Sequence, residues 1–514
     1  MKPHSRAAQL TSWHADWSGL RVLVLGLGVT GFAAADTLAE LGAEVTVWAP
    51  EPVEERMPLL EVIGARFIDA DPRHLGAALS IDRAPELVIV SPGLRPRHPA
   101  VLWALGSGAE VWGDVELAWR LRDKVGKPAP WLAITGSNGK TTTAQLTTEM
   151  LVAEGYRAIA CGNIGIPVLD AVRDPVGWDA LVVELSSFQL HYLTAISPHA
   201  SVCLNFSADH LDWHGNETAY RAAKARVYEN TQAAAVYNRD DPATRDMVED
   251  ADVVDGCRAI GFGWGIPGLS ELGVVEDILC DRAFIDNRRD SALELATLPE
   301  LAVRGLAAPH LVANILAAAS LARSVGVSAE AIHKSVLAFH LDPHRTQVVA
   351  THRQITWVDD SKATNVDAAQ AALRSARSVV WVAGGILKGA AVGELVATQA
   401  HRLRAVILIG ADRSEFRDAF SRHAPDIPVF EADGGGAHEI MRVVVERAAQ
   451  IARAGDVVLL APAAASMDQF VDYAERGTRF ADAVRDHIRK HPDDVPDGLG
   501  EEPTAGGACD GNPQ

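Results

Sequence analysis

The stretch Trp131-Leu-Ala-Ile-Thr-Gly-Ser-Asn-Gly-Lys-Thr-Thr-Thr143 decides how the rest of this chain is read. Its first four residues, Trp131-Leu-Ala-Ile134, are an apolar run that predicts a buried strand, and the helix-forming run Ala144 to Leu151 predicts a helix just beyond. A glycine-bearing turn lies between them. Strand, turn and helix start together make a phosphate cradle, in which free N–H groups and the positive helix end face an anion. Lys140 adds a full positive charge, and Thr141 stands where a hydroxyl can hold Mg²⁺. The longer Walker pattern has a glycine where this chain has Ile134, so the match is to the shorter T-G-S-N-G-K-T form. The stretch is read as a nucleoside triphosphate site.

Length and composition bound what surrounds it. A chain of 514 residues predicts two to four domains, and a hydrophobic content of 48% supplies several cores. The formal net charge of -20 argues against a general nucleic-acid binder. The five cysteines (Cys161, Cys203, Cys257, Cys280 and Cys509) are scattered and contain no C-x-x-C pair. That pattern fits a reducing cytoplasm better than a disulfide framework or a zinc site. No long apolar run precedes Leu20, so no signal peptide is expected, and no apolar stretch is long enough to predict membrane insertion.

Upstream, Arg21-Val-Leu-Val-Leu-Gly-Leu-Gly-Val-Thr-Gly31 is a buried-strand pattern running into G-L-G-V-T-G, followed by a helical run from Phe32 to Leu41 and a second strand, Glu44–Trp48. This is a Rossmann-like β-α-β opening. A dinucleotide site would want an acidic residue ending the second strand, and the chain instead reads Ala49-Pro50-Glu51, so the glycine pattern alone leaves NAD open. A third strand, Leu87–Val90, ends at Ser91-Pro92-Gly93, a turn at the ligand-binding edge of a parallel sheet. The charged, proline-bearing run between Leu121 and Pro130 reads as a linker. Strands are expected at 181–184 and 200–205, and a helix at 313–323. Further strands are expected at 355–359, 379–384, 405–410 and 457–460. The alternation argues for an α/β fold in which a Rossmann-like N-terminal domain precedes a P-loop ATPase-type domain and a third parallel sheet. Residues 490–514, rich in Pro, Gly, Asp and Glu, are read as a solvated tail.

Three more residues belong with the phosphate loop. Glu184 ends an apolar strand in Val-Val-Glu-Leu-Ser-Ser-Phe-Gln, His210 follows another strand in Ser-Ala-Asp-His-Leu-Asp-Trp-His, and Lys224 lies on a segment of helical spacing. Phosphoryl transfer needs cations at the phosphate oxygens, and Thr141, Glu184 and His210 are chemically suited to position metal ions.

In that order, the T-G-S-N-G-K-T loop, the E-L-S-S-F-Q strand end, the D-H-L-D-W-H-G segment and the R-A-A-K-A-R helix resemble the Mur ligase family, over roughly residues 20–485. Asp360-Ser-Lys-Ala-Thr-Asn365 and the segment Ala461 to Phe480 resemble the family member that adds D-glutamate. The resemblance implies three α/β domains: 1–128 binding a UDP-linked substrate, 129–343 binding ATP, and a Rossmann-like 344–489 binding the amino acid. It implies an ATP-dependent ligase joining D-glutamate to UDP-N-acetylmuramoyl-L-alanine through an acyl phosphate in peptidoglycan precursor synthesis, cytoplasmic and monomeric. Lys140, His210 and Lys224 become catalytic. The implied ATP-binding residues are Gly136, Ser137, Asn138, Gly139, Lys140, Thr141, Thr142, Asn314, Arg345 and Asp360. Two Mg²⁺ ions are implied at Thr141, Glu184, His210 and Lys224, the last as a carbamate. Val29, Thr30, Gly31, Ser91, Gly93 and Asn163 are assigned to the UDP-linked substrate, not to NAD. Lys362, Thr364, Lys388, Ser466 and Tyr473 are assigned to D-glutamate. The chain departs from the family at Leu311, where an asparagine on the adenine side is usual, at Tyr473, where Phe is common, and at Trp48-Ala-Pro-Glu51 on the uracil side. Another ligase of the superfamily, or a P-loop protein that uses the loop as a switch, are the competing readings.

Overall fold

A computed structural model describes residues 5–79, 84–434 and 436–491; the expected solvated tail falls outside the described residues from 492 onward. Three sheets are present among them. The first is built from β1 (Arg21–Leu25), β2 (Glu44–Trp48), β3 (Arg66–Ile68), β4 (Leu87–Val90) and β5 (Glu110–Gly113), all parallel, in the order β3-β2-β1-β4-β5. Val22 to Leu25 and all of β4 are buried, as expected of strands covered by helices on both faces. The helix after β1 runs Val29–Glu40, starting three residues before the expected Phe32. Gly31 is the reason. It lies inside the first turn because a Cβ there would meet the Gly26 carbonyl oxygen at 2.0 Å, so the glycine serves close packing and does not end a turn.

The second sheet contains β6 (Trp131–Thr135), β7 (Ala158–Gly162), β8 (Ala180–Glu184), β9 (Ala200–Cys203), β10 (Ala234–Asn238), β11 (Arg258–Phe262), β12 (Glu271–Val275), β13 (Ile278–Asp281) and β14 (Leu293–Thr297). Its order is β14-β13-β12-β11-β10-β9-β6-β8-β7, parallel except for the β12-β13-β14 meander. The third sheet, from β15 (Gln347–His352), β16 (Ile355–Asp359), β17 (Val379–Gly384), β18 (Leu403–Ile409), β19 (Val429–Glu431) and β20 (Val457–Leu460), has the order β15-β16-β20-β17-β18-β19. Only β15 runs antiparallel to its neighbour there.

The first two sheets form one compact unit, Met1–Asp342 with Lys388–Ala390; the third belongs to a second unit, Pro343–Leu387 with Ala391–Gln514. Within the first unit a single apolar cluster includes Leu38 and Trp119 from helices of the first sheet and Trp131, Leu169 and Leu190 from the second sheet and its helices. Trp119 meets Trp131 edge-on at 5.1 Å. Glu116, fully buried, accepts hydrogen bonds from the Thr194 and Ala195 N–H groups at 2.9 and 3.0 Å and from Arg120 Nε at 2.9 Å. A carboxylate so enclosed tolerates burial because three donors replace its water. The run Leu121–Pro130 does not read as a free tether: Asp123 accepts from the Trp13 N–H at 2.7 Å, and Lys124 donates to Glu40 at 2.8 Å.

Candidate active site

Register levels three strand ends at one edge of the second sheet. Ile134 of β6 pairs with Glu184 of β8, and Thr135 of β6 pairs with Cys203 of β9. Because β6 sits between β8 and β9, the chain order reverses there, and the loops after all three strands open on a common crevice. The expected phosphate loop occupies it. Gly136 (φ 153°) leaves β6, and Gly139 (φ 84°, left-handed) starts the helix Lys140–Glu154, which has no side-chain cap on its N-terminal N–H groups. The loop's outer wall is pinned to the strand after β9: Asn205 Oδ1 accepts from the Asn138 N–H at 2.8 Å, its Nδ2 donates to the Asn138 carbonyl at 3.1 Å, and Ser137 Oγ donates to the Ser207 carbonyl at 3.0 Å. Thr142 and Thr143 are buried, which leaves Thr141 as the partly accessible hydroxyl of the three.

Two lysines converge on one carbonyl. Lys140 Nζ donates to the Gly136 and Ser137 carbonyls at 2.8 and 3.0 Å, and Lys224 Nζ, 2% exposed as a residue, also donates to Gly136 O at 2.8 Å. Burial and the neighbouring Lys140 charge pull the Lys224 ammonium down to about 7. Lys224 is held there by the helix Glu217–Ala225, which begins at the Asn216 cap and presents Tyr220 beneath the ammonium, 4.7 Å from the ring centre. Beside them Glu184 is 1% exposed; its Oε1 accepts from Asn163 Nδ2 at 2.8 Å, while Oε2 is buried with no protein partner among the described residues. A buried carboxylate oxygen left open in this way fits a cation, since leaving it unpaired costs desolvation.

His210 stands at φ 54°, a left-handed position uncommon for histidine, just before the short helix Leu211–His214. The Asp209 carboxylate accepts from the His210 N–H at 2.7 Å, and the Phe188 ring meets the imidazole edge-on at 4.8 Å. Burial, with Lys140 and Lys224 nearby, lowers its conjugate acid to about 4, so the ring is neutral at pH 7 and able to ligate a metal. Asn314, on the helix Pro309–Ser324, lies against Gly139: a Cβ there would sit 2.4 Å from Asn314 Oδ1. Leu311 of the same helix is buried in the core.

The edge of the first sheet is arranged alike. Leu25 pairs with both Trp48 and Val90, so the loops after β1 and β4 meet at the switch point. Val29 and Thr30 start the helix there. Ser91 Oγ donates to the Gly26 carbonyl at 3.4 Å, and Gly93 has open space around it. Asn163 lies across the β7 end, its N–H donating to the Glu184 carbonyl at 2.9 Å.

The second unit gathers its own polar group. Lys362 Nζ donates to the Tyr473 hydroxyl at 2.9 Å and lies over its ring. Fully buried Arg476 donates to Ser361 Oγ and the Ser361 and Ala464 carbonyls, fixing the turn that carries Lys362 and Thr364. Burial raises the Asp360 carboxyl to about 6, and Oδ1 accepts from the Thr346 N–H at 3.1 Å, next to Arg345. Ser466 is buried; Lys388, which groups with the first unit, holds φ 53° in the loop after β17. Asn205 was not singled out from sequence; its signal was a polar residue at the carboxyl end of an apolar strand.

These placements meet a consistent set of likenesses. Residues 134–322 match the Mur ligase middle domain and residues 344–464 the Mur ligase glutamate ligase domain. The chain is 56% identical over 505 residues to a UDP-N-acetylmuramoylalanine--D-glutamate ligase of Leifsonia xyli, covering 95% of this chain and 97% of that one. It belongs to the Mur ligase family. A second D-glutamate ligase, from Streptomyces coelicolor, is 49% identical over 92% of this Mur ligase and 99% of its own length. In fold, a pseudomurein peptide ligase type C from Methanothermus fervidus superposes with a TM-score of 0.55 at 16% identity, over 91% of this chain and 100% of that one. Among the described residues no helix is long and apolar enough to cross a membrane.

Proposed function

We propose that this Mur ligase joins D-glutamate to UDP-N-acetylmuramoyl-L-alanine with cleavage of ATP. The reaction class rests on one observation: Lys140 and Lys224 meet on the Gly136 carbonyl beside the open Glu184 Oε2, at the level ends of β6, β8 and β9. The amino acid follows from the likeness to two D-glutamate ligases over nearly their full lengths. In this reading residues 1–128 bind the UDP-linked substrate through Val29, Thr30, Gly31, Ser91 and Gly93, with Asn163 from the neighbouring sheet. Residues 129–343 bind ATP through 136–142 and Asn314, and residues 344–489 contribute Arg345, Asp360, Lys362, Thr364, Lys388, Ser466 and Tyr473. The chain acts as a cytoplasmic monomer.

A carboxylate resists attack because oxide is a prohibitive leaving group. In the proposed sequence an oxygen of the alanyl carboxylate attacks the γ-phosphorus of ATP, the bond to the β–γ bridging oxygen breaks, and ADP leaves. The D-glutamate amine then attacks the carbonyl carbon of the acyl phosphate; the tetrahedral adduct expels phosphate and the nitrogen loses its proton. The first step brings two anions together. Lys140 and the uncapped N–H groups of its helix lower that repulsion in a fixed, partly dry site. Thr141, Glu184 Oε2 and the neutral His210 ring are the donors that fit Mg²⁺, which when bound neutralises charge on phosphate oxygens. Lys224 joins them as a carbamate. Its amine is enclosed, and its lowered pKa of about 7 populates the neutral form that combines with CO₂. A ¹³C-bicarbonate NMR spectrum without a lysine carbamate signal would remove this element and leave the ligase reading standing.

The test is phosphate release from ATP with UDP-N-acetylmuramoyl-L-alanine, comparing D-glutamate with L-glutamate, L-alanine and diaminopimelate. Release with D-glutamate alone, and the coupled product by mass, is the expected result. Release with a different amino acid and none with D-glutamate moves the substrate assignment; none with any of the four refutes the ligase reading.

A further inference from the structure

The loop after β2 carries a cation that the substrate assignments do not use. Between Ala49 and Arg56 the sequence is Ala-Pro-Glu-Pro-Val-Glu-Glu-Arg, and Glu51, Glu54 and Glu55 are all exposed. Arg56 is the one basic residue of this segment. Its backbone is fixed by a turn in which the Arg56 and Met57 N–H groups donate to the Val53 carbonyl at 2.9 and 3.1 Å. Val53 and Met57 pack on the apolar cluster of the first unit. From this anchored start the side chain reaches back to the loop after β1, where Nη1 donates to the Leu27 carbonyl at 2.6 Å. Leu27 lies between Gly26 and Gly28, directly before the helix Val29–Glu40, whose first turn carries no acidic side chain and whose N-cap offers no side-chain acceptor. Arg56 is half-buried, and its other guanidinium N–H groups have no protein partner among the described residues.

Resting on the reading of the first sheet edge as the UDP site, we propose that Arg56 binds the diphosphate of the UDP-linked substrate and sets its affinity there. The helix start supplies partial positive charge, but a diphosphate beside Glu51, Glu54 and Glu55 in a chain of net charge -20 meets like charge. One guanidinium N–H spent on Leu27 holds the planar fork at the loop before the helix start and leaves further N–H groups whose paired geometry suits phosphate oxygens. This compensates for a β2 end that has Ala49 and Pro50 in place of polar contacts.

The experiment is calorimetric titration of the full chain with UDP, and with uridine in competition, for wild type, Arg56→Gln and Arg56→Lys. Loss of a charge-assisted contact predicts that R56Q weakens UDP about tenfold or more, that R56K falls between, and that uridine changes by less than about twofold. An ATP analogue at the phosphate loop should bind R56Q as it binds wild type, which confirms the fold. Equal loss for UDP and uridine would make Arg56 a strut for the Leu27 loop and overturn the proposal, as would unchanged UDP affinity in R56Q. If wild type binds neither UDP nor uridine, the substrate reading itself fails and takes the Arg56 role with it; if wild type binds UDP and R56Q matches it, the Arg56 role alone fails.

Discussion

Gly139→Ala separates backbone strain from nucleotide contact in a way the structure makes quantitative. Gly139 and Gly155 bracket the same helix, both left-handed, at φ 84° and 103°. An alanine at either position carries the cost of a left-handed L-residue, about 1–2 kcal/mol. They differ in what the new methyl meets. At Gly155 there is nothing within 4 Å; at Gly139 the methyl would lie 2.4 Å from Asn314 Oδ1 and 3.0 Å from its Cγ. Asn314 is a side-chain end, so the clash is relieved by turning the amide away instead of by unfolding the loop. Both variants should therefore lose similar stability, read as similar shifts in denaturant midpoint. Only G139A should also lose the Asn314 amide from the nucleotide site. One neutral hydrogen bond is worth about 0.5–1.5 kcal/mol, so an ATP analogue should bind G139A about two- to twelvefold more weakly, with G155A unchanged. Fluorescence or calorimetric titration with a non-hydrolysable analogue reads this directly. Equal affinity losses in the two variants would show that helix strain alone governs binding and that Asn314 has no part in it.

Two further perturbations test the buried charges. Asp114, 3% exposed, accepts from Gln189 Nε2 at 3.2 Å while its Oδ1 is buried without a protein partner among the described residues, and burial raises its carboxyl to about 6. Since the folded value lies above the unfolded one, the native state holds this proton more tightly, and stability is lost as pH rises from about 4 to about 6. Asp114→Asn, which mimics the neutral acid, should match wild type near pH 4 and exceed it by on the order of 2 kcal/mol above pH 6 in chemical unfolding; a difference independent of pH would refute the assignment. Lys224→Met keeps the volume of a side chain packed at 2% exposure and removes its charge, while Gly136 O retains its bond from Lys140. Its melting temperature should hold or rise, and phosphate release should fall at least about a hundredfold; retained turnover would exclude Lys224 from the chemistry.

The parts of this fold legible in the sequence were those where one residue type serves one purpose. β1, β4 and β6 are short apolar runs ending in glycine or Ser-Pro-Gly turns, Glu184 and the glycines of the phosphate loop stand at their own strand ends, and His210 lies in the segment that follows β9. The strands β11 to β14 were not anticipated. Gly261 and Gly273 lie inside β11 and β12, and β12 to β14 are short strands of an antiparallel ribbon, which leaves little apolar periodicity to read. Arg56 and Asn205 were invisible for a different reason: each acts on a loop that is remote in sequence, 29 and 67 residues away.

The run from Leu121 to Pro130 joins the first sheet to the second, and its charges are held in a way that composition does not show. Charge and proline predict a solvated tether, because isolated charges favour water. Here three of the run's charges, those of Arg122, Asp123 and Lys124, are answered within the fold. Arg122 lies 3.7 Å over the Trp119 ring, Asp123 takes the Trp13 N–H, and Lys124 joins Glu40 while resting 4.1 Å over the Trp13 ring. Both aromatic partners, residues 13 and 119, precede the run in sequence, and Glu40 belongs to the helix that also receives Arg173 from the second sheet's side. A charged segment whose partners are aromatic faces and opposite charges behaves as a seam, so the two sheets it connects share one apolar cluster and group as one unit. The distinction lies in the partners of the charges and not in their number, and only the folded chain supplies those partners.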